Sequence, residues 1–206
     1  MIDTMSNYCP STREEQFNEY LIDFLTNFLQ WFDAMANTKP KYYNIVMLEN
    51  LRFIISRLNK QSYWEDWRQK KTELEAQYNE NVDKYIQYIF KYQFQKYTAY
   101  MKKVRLAIKG NDFDSIKEQS DYSFKAFDKM VKSTFASLNK TCKSMHDRMK
   151  KHLKSDDKVR KEMWELLLVY AEKEYDDVVN IVKTCYPGST LSTKREGIEK
   201  AFTAFK

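Results

Sequence analysis

The chain has 206 residues, 43% of them hydrophobic and 31% charged, with 35 Lys and Arg against 29 Asp and Glu for a net charge of +6. Three Gly and three Pro are too few for the turns of a sheet protein of this size, and no run approaches the ~18 uncharged apolar residues needed to cross a bilayer. Met1 to Pro10 lacks a basic start followed by an apolar run, and Cys9, Cys142 and Cys185 are odd in number and far apart, so the expectation is a soluble, unsecreted protein of a reducing, cytosolic compartment.

A mean hydropathy of −0.73 beside that much apolar content describes amphipathic helices in water. Capping boxes mark helix starts at Ser11 with Glu14, Ser62 with Glu65, Ser115 with Glu118 and Thr193 with Glu196. Breaks fall at Asn37-Thr38-Lys39-Pro40, Gly110-Asn111-Asp112, Ser155-Asp156-Asp157 and Pro187-Gly188-Ser189. The prediction is an all-α fold: an elongated, rod-like helical bundle of about six helices including one very long one, forming a single module over residues 1–206.

The first helix is predicted from about Thr12 to Ala36, with Phe17, Leu21, Phe24, Leu25, Phe28, Phe32 and Met35 on one broad apolar face. The second, from about Lys41 to Asn59, carries Ile45, Leu48, Leu51, Ile55 and Leu58. From Tyr63 to Ile108 no Gly or Pro intervenes, which predicts one helix on the order of 70 Å long and hence a rod, with room for a kink at Asn79-Glu80-Asn81. Val131, Phe135, Leu138, Cys142, Met145, Met149 and His152 alternate four and three residues apart as the packing seam of a fourth helix. Trp164, Leu167, Leu168, Ala171, Tyr175, Val178 and Val182 do the same in a fifth, from Lys158 to about Cys185, and a short last helix carries Ile198, Ala201, Phe202 and Phe205.

The search for chemistry returns little. Cys142 and His146, four apart on one helix, have the spacing of a metal-ligand pair, but two further ligands are wanting and the reading is a buried thiol beside a solvated histidine. His146 and His152 follow no nucleophile-bearing turn, and Asp156-Asp157 and Asp176-Asp177 point about 100° apart on a helix. No Gly-rich loop cradles a phosphate. No catalytic residue, metal, cofactor or small-molecule substrate is assigned.

Charge is more telling. Between Lys140 and Lys161 nine bases (Lys140, Lys143, Arg148, Lys150, Lys151, Lys154, Lys158, Arg160, Lys161) face three acids (Asp147, Asp156, Asp157), a local net of +6 that leaves the rest of the chain neutral. Lys143, Lys150, Lys151, Lys154, Lys158 and Lys161 form either a solvated face or a stripe for anionic lipid, phosphate or an acidic protein. Nucleic acid is disfavoured, because the aromatics lie at core spacing rather than among the lysines.

The segment Tyr175-Asp176-Asp177-Val178-Val179-Asn180-Ile181-Val182-Lys183-Thr184-Cys185-Tyr186-Pro187-Gly188-Ser189 resembles the extreme carboxyl terminus of the exocyst Sec3 family. There, a long helix with spaced aromatic and acidic residues ends in a Tyr-Pro-Gly-Ser turn before a last short helix. The resemblance implies a helical-bundle module of the octameric exocyst, the complex that tethers secretory vesicles to the plasma membrane before SNARE-mediated fusion. Other exocyst subunits would be its partners, and its place would be cytoplasmic, peripheral to the plasma membrane at sites of secretion. The family's lipid- and GTPase-binding amino-terminal domain has no counterpart in these residues, so Met1 is expected to begin a carboxyl-terminal fragment. A membrane-surface-binding module and an adaptor bundle of another trafficking complex are the alternatives.

Overall fold

A computed structural model describes residues 11–58, 65–110, 120–154 and 156–205, and among them all regular structure is helical: eight α-helices and two 3-10 turns. Contacts divide the chain into two units, Met1–Lys84 and Tyr85–Lys206.

In the first unit, α1 (Ser11–Asn37) and α2 (Tyr43–Leu58) are joined by a turn in which Thr38 and Lys39 amides donate to the Met35 and Ala36 carbonyls. Pro40 then opens a 3-10 turn, Pro40–Tyr42, where its missing N–H costs nothing. Met47, Leu51 and Leu58 of α2 form a core with Ala36 of α1 and with Trp67 and Leu74 of α3 (Glu65–Gln93), and Leu25, Leu29 and Phe32 pack against it. Burying these side chains is the main source of stability here, on the order of 25 cal/mol per Å². Two polar contacts fix the register: Trp67 Nε1 donates to Asn18 Oδ1 at 3.3 Å, and the Tyr43 hydroxyl donates to Asp33. Burial, reinforced by the Asp33 carboxylate, pushes the Tyr43 phenol up to about 12.

The second unit contains the end of α3, then α4 (Gln95–Lys109), a 3-10 turn at Ser120–Tyr122, α5 (Phe124–Phe135), α6 (Leu138–His152), α7 (Asp157–Cys185) and α8 (Arg195–Thr203). α8 packs on both α7 and α6, and α5 on α4. The two seams read from sequence are core apart from half-buried His152 and Leu168: Val131, Phe135, Leu138, Cys142, Met145 and Met149 are buried, as are Trp164, Leu167, Ala171, Tyr175, Val178 and Val182.

Among the described residues eight helices replace six, because two stretches split without help from Gly or Pro. The helix expected to run unbroken to Ile108 breaks at Phe94, while Asn79, Glu80 and Asn81 lie inside α3 with no kink assigned. Phe94 turns to φ −111°, ψ 41° and keeps its ring buried, 4.6 Å from Phe90 and 6.1 Å from Phe135. At about 1.5 Å per residue, α3 spans only ~43 Å. The fourth helix divides at Ala136–Ser137, where Ser137 has nearly the same conformation, φ −108°, ψ 28°. Periodicity encodes neither break, and at the first the ring of the break residue itself is packed in the core.

The caps also differ. Ser62 and Ser115 lie outside the described residues. Thr193 does not cap: Lys194 holds the N-cap position of α8 without a side-chain bond, and the Thr193 carbonyl accepts the Tyr175 hydroxyl at 2.7 Å. Asp156, placed by the sequence in a break, caps α7, its carboxylate accepting the Lys158 and Val159 amides at 2.9 and 3.0 Å. Replacing Asp156 with Ala is expected to cost about 1 kcal/mol. Thr193→Ala, which keeps the accepting carbonyl, should stay within about 0.5 kcal/mol of the parent; urea unfolding of both variants checks the contrast.

Candidate functional site

The Tyr186–Ser189 turn is held by bonds at every position that matters. The Tyr186 amide closes α7 on the Val182 carbonyl at 2.9 Å, and Ser189 N–H returns to the Tyr186 carbonyl at 3.0 Å. Pro187 fits the second position, and Gly188 at φ 83° takes the left-handed third position of a type II turn, which a side chain would resist. The Tyr186 ring is buried 5.7 and 5.6 Å from Phe124 and Phe127, and its hydroxyl donates to the Tyr122 carbonyl. Burial pushes that phenol up to about 12. Through buried Tyr186 the turn locks the end of α7 to the start of α5, while Pro187 and Gly188 at its tip are exposed.

Beyond the turn the chain is pinned to the bundle. Asp128 accepts from the Ser192 amide and hydroxyl at 2.8 and 3.0 Å, and Arg195 pairs with Glu172 at 3.2 Å and Asp176 at 3.1 Å. Trp164 Nε1 donates to the Phe202 carbonyl at 3.1 Å with the two rings 5.0 Å apart. On the other side of α7, Arg105 of α4 forks to Glu174 and Asp177, each at 2.8 Å. The Tyr97 hydroxyl lies 3.5 Å from the same Glu174, and burial followed by that carboxylate raises its pKa.

Cys142 is fully buried, and burial alone pushes its thiol up to about 12, far from a thiolate ligand. His146 is half-buried, its ring 5.2 Å from Trp164 and 5.8 Å from Phe205. Among the described residues no three His, Cys, Asp or Glu gather where they could hold a metal ion.

The basic stretch is reorganised. Lys143, Lys150 and Lys151 lie on α6, Lys154 between the helices, and Lys158 and Lys161 on α7, all six exposed. They do not share one helical face, because α6 ends at Leu153 and α7 restarts from its Asp156 cap. At 100° per residue, the three lysines of α6 fall on the side away from buried Cys142, Met145 and Met149. Two of the nine bases serve the fold instead: Arg148 lies 3.6 Å over the Tyr92 ring, and Arg160 donates to the Leu153 carbonyl at 3.1 Å.

A second surface was not legible as one. The apolar face expected on α1 divides in two. Leu21, Leu25 and Phe32 turn to the core, while Phe24, Phe28 and Met35 are exposed with Tyr20 and Trp31. The signal was the spacing of Tyr20 and Trp31, which continue the Phe24–Phe28–Met35 row rather than the core row.

His146 supplies a pH dependence. Burial first, then Lys150, lowers its pKa from 6.5, so the unfolded chain binds the proton more readily than the folded one. Its contribution is present above pH ~6.5 and lost as pH falls below that. The unfolding free energy of a His146→Phe variant should fall less between pH 7.5 and 5.5 than that of the parent, as measured by urea titration at each pH.

A family model described as exocyst complex component Sec3, C-terminal, matches residues 21–188. No curated protein and no solved structure matches the chain.

Proposed function

Because this chain belongs to the exocyst Sec3 C-terminal family, we propose that it is a structural module of the exocyst that supports docking of secretory vesicles at the plasma membrane in exocytosis. The observation that carries the proposal is the extent of the family match, from residue 21 in α1 to residue 188 in the terminal turn. Exocyst components build a tether, and their partners are other exocyst subunits. The polar chemistry inside this bundle suits that role: Arg105 with Glu174 and Asp177, Tyr175 with Thr193, and Tyr186 with Tyr122 all join one helix or turn to another. The module would work in the cytoplasm, peripheral to the plasma membrane at sites of secretion. Affinity capture of a tagged exocyst subunit, from cells with and without this chain, is expected to show partial loss of complex composition together with reduced secretion. Unchanged composition and unchanged secretion would sink the reading.

A second contact is supported by the six exposed lysines on α6, α7 and the connection between them. Each Lys near an anionic leaflet contributes about 1 kcal/mol of attraction, so the set can hold a peripheral module at low salt. The chain should float with phosphatidylserine-containing vesicles at low ionic strength and release in salt, as the Debye length shortens from ~10 Å at 0.1 M to ~3 Å at 1 M. Replacing Lys143, Lys150 and Lys154 together with Gln should weaken flotation about a hundredfold, at ~1 kcal/mol per lysine. Failure of the parent chain to float at low salt removes the membrane contact but leaves the tethering role intact.

A further inference from the structure

Tyr20, Phe24, Phe28, Trp31 and Met35 of α1 are exposed by 73, 68, 38, 57 and 51%. They stand four, four, three and four residues apart, the spacing of a coiled-coil seam, and at 100° per residue they occupy about 80° of the helix circumference. The three central rings run on from one another, Phe24 to Phe28 at 6.5 Å and Phe28 to Trp31 at 5.9 Å. With roughly 200 Å² for each large side chain, the uncovered apolar area is about 600 Å², at the top of what a monomer usually leaves bare. A partner burying a matching area would complete an interface of about 1,200 Å², the lower bound of the standard size.

Charge decides between occupants. The sequence of α1 holds five acids (Glu14, Glu15, Glu19, Asp23, Asp33) and one base, Arg13, a net of −4 within a chain of net +6. Exposed Glu19 and Asp23 flank the strip along the groove between α1 and α3, where Glu73 adds a third acid against one base, Lys70. An anionic membrane and a second copy of the same acidic helix would both bring like charges together.

We propose that the Tyr20–Met35 strip seats a basic amphipathic helix of another exocyst subunit, with apolar residues at three-four spacing and Lys or Arg on its flanks. The inference rests on the exocyst reading and adds to it the surface that makes one subunit contact. The aromatic strip supplies the buried centre and the acids supply orientation and rate of encounter.

Co-expression of the full chain with the other exocyst subunits tests it, using the wild type, Phe24→Asp with Trp31→Glu, and Glu19→Lys with Asp23→Lys. Capture of one subunit is expected to fall at least tenfold in the first variant and severalfold in the second, which leaves the strip intact. Circular dichroism should give both variants wild-type helicity, since every substituted position is exposed. A photo-crosslinker at position 20 should mark a subunit helix with the stated pattern. Wild-type capture that survives both double substitutions overturns the inference alone, as do crosslinks that join two copies of this chain. A wild-type chain that captures no subunit overturns the exocyst reading and the inference together.

Discussion

The unit from Tyr85 onward depends on a mismatch between α7 and any single partner helix. Its buried residues, from Val159 and Met163 through Trp164, Leu167 and Ala171 to Val182 and Cys185, cover an arc of about 160° at 100° per residue. A surface helix buries a stripe of roughly 100°. One neighbour cannot cover that arc, so α7 recruits several. Phe202 closes over Trp164 near its start, Phe90 over Tyr170 and Phe135 over Tyr175 farther along, and Tyr186 docks on Phe124 and Phe127 at its end. The arrangement of the other helices follows from where those aromatic contacts fall.

Much of this was legible, because burial leaves a periodic trace. The seams from Val131 to Met149 and from Trp164 to Val182 read as core and are core. Helix ends were legible where a residue's own backbone chemistry forces them: Pro40 begins a turn, and Gly188 takes a positive φ that few other residues tolerate. The breaks at Phe94 and Ser137 were not, since neither residue is a breaker and neither break carries a Gly or Pro. Thr193 and Asp156 exchange roles for a related reason: a capping box describes only the local competition for amides, and Tyr175 claims the Thr193 carbonyl from another helix.

The candidate contact surfaces were legible in part. Lysines at Lys143 to Lys161 announce themselves by composition, yet composition does not reveal that Arg148 and Arg160 serve the fold. The opposite error occurs on α1, where so many apolar residues suggested a single face. Only packing separates Leu25 and Phe32, which are inside, from Phe24 and Trp31, which are outside. The sequence thus sets an acidic helix near one end and a basic stretch toward the other.

The two helix breaks have a mechanical meaning. Phe94 and Phe135 touch at 6.1 Å, so the discontinuities of α3–α4 and α5–α6 lie at one level, beside an open groove of about 540 Å³ lined by Gln95, Tyr97, Ser133 and Ser137 among others. Past that level α7 runs without interruption, touching it through Tyr170 and Tyr175. The result is a splinted joint. Two interrupted helix pairs thus share one level with a helix whose backbone is continuous across it, so α7 alone carries unbroken helical hydrogen bonding past both discontinuities.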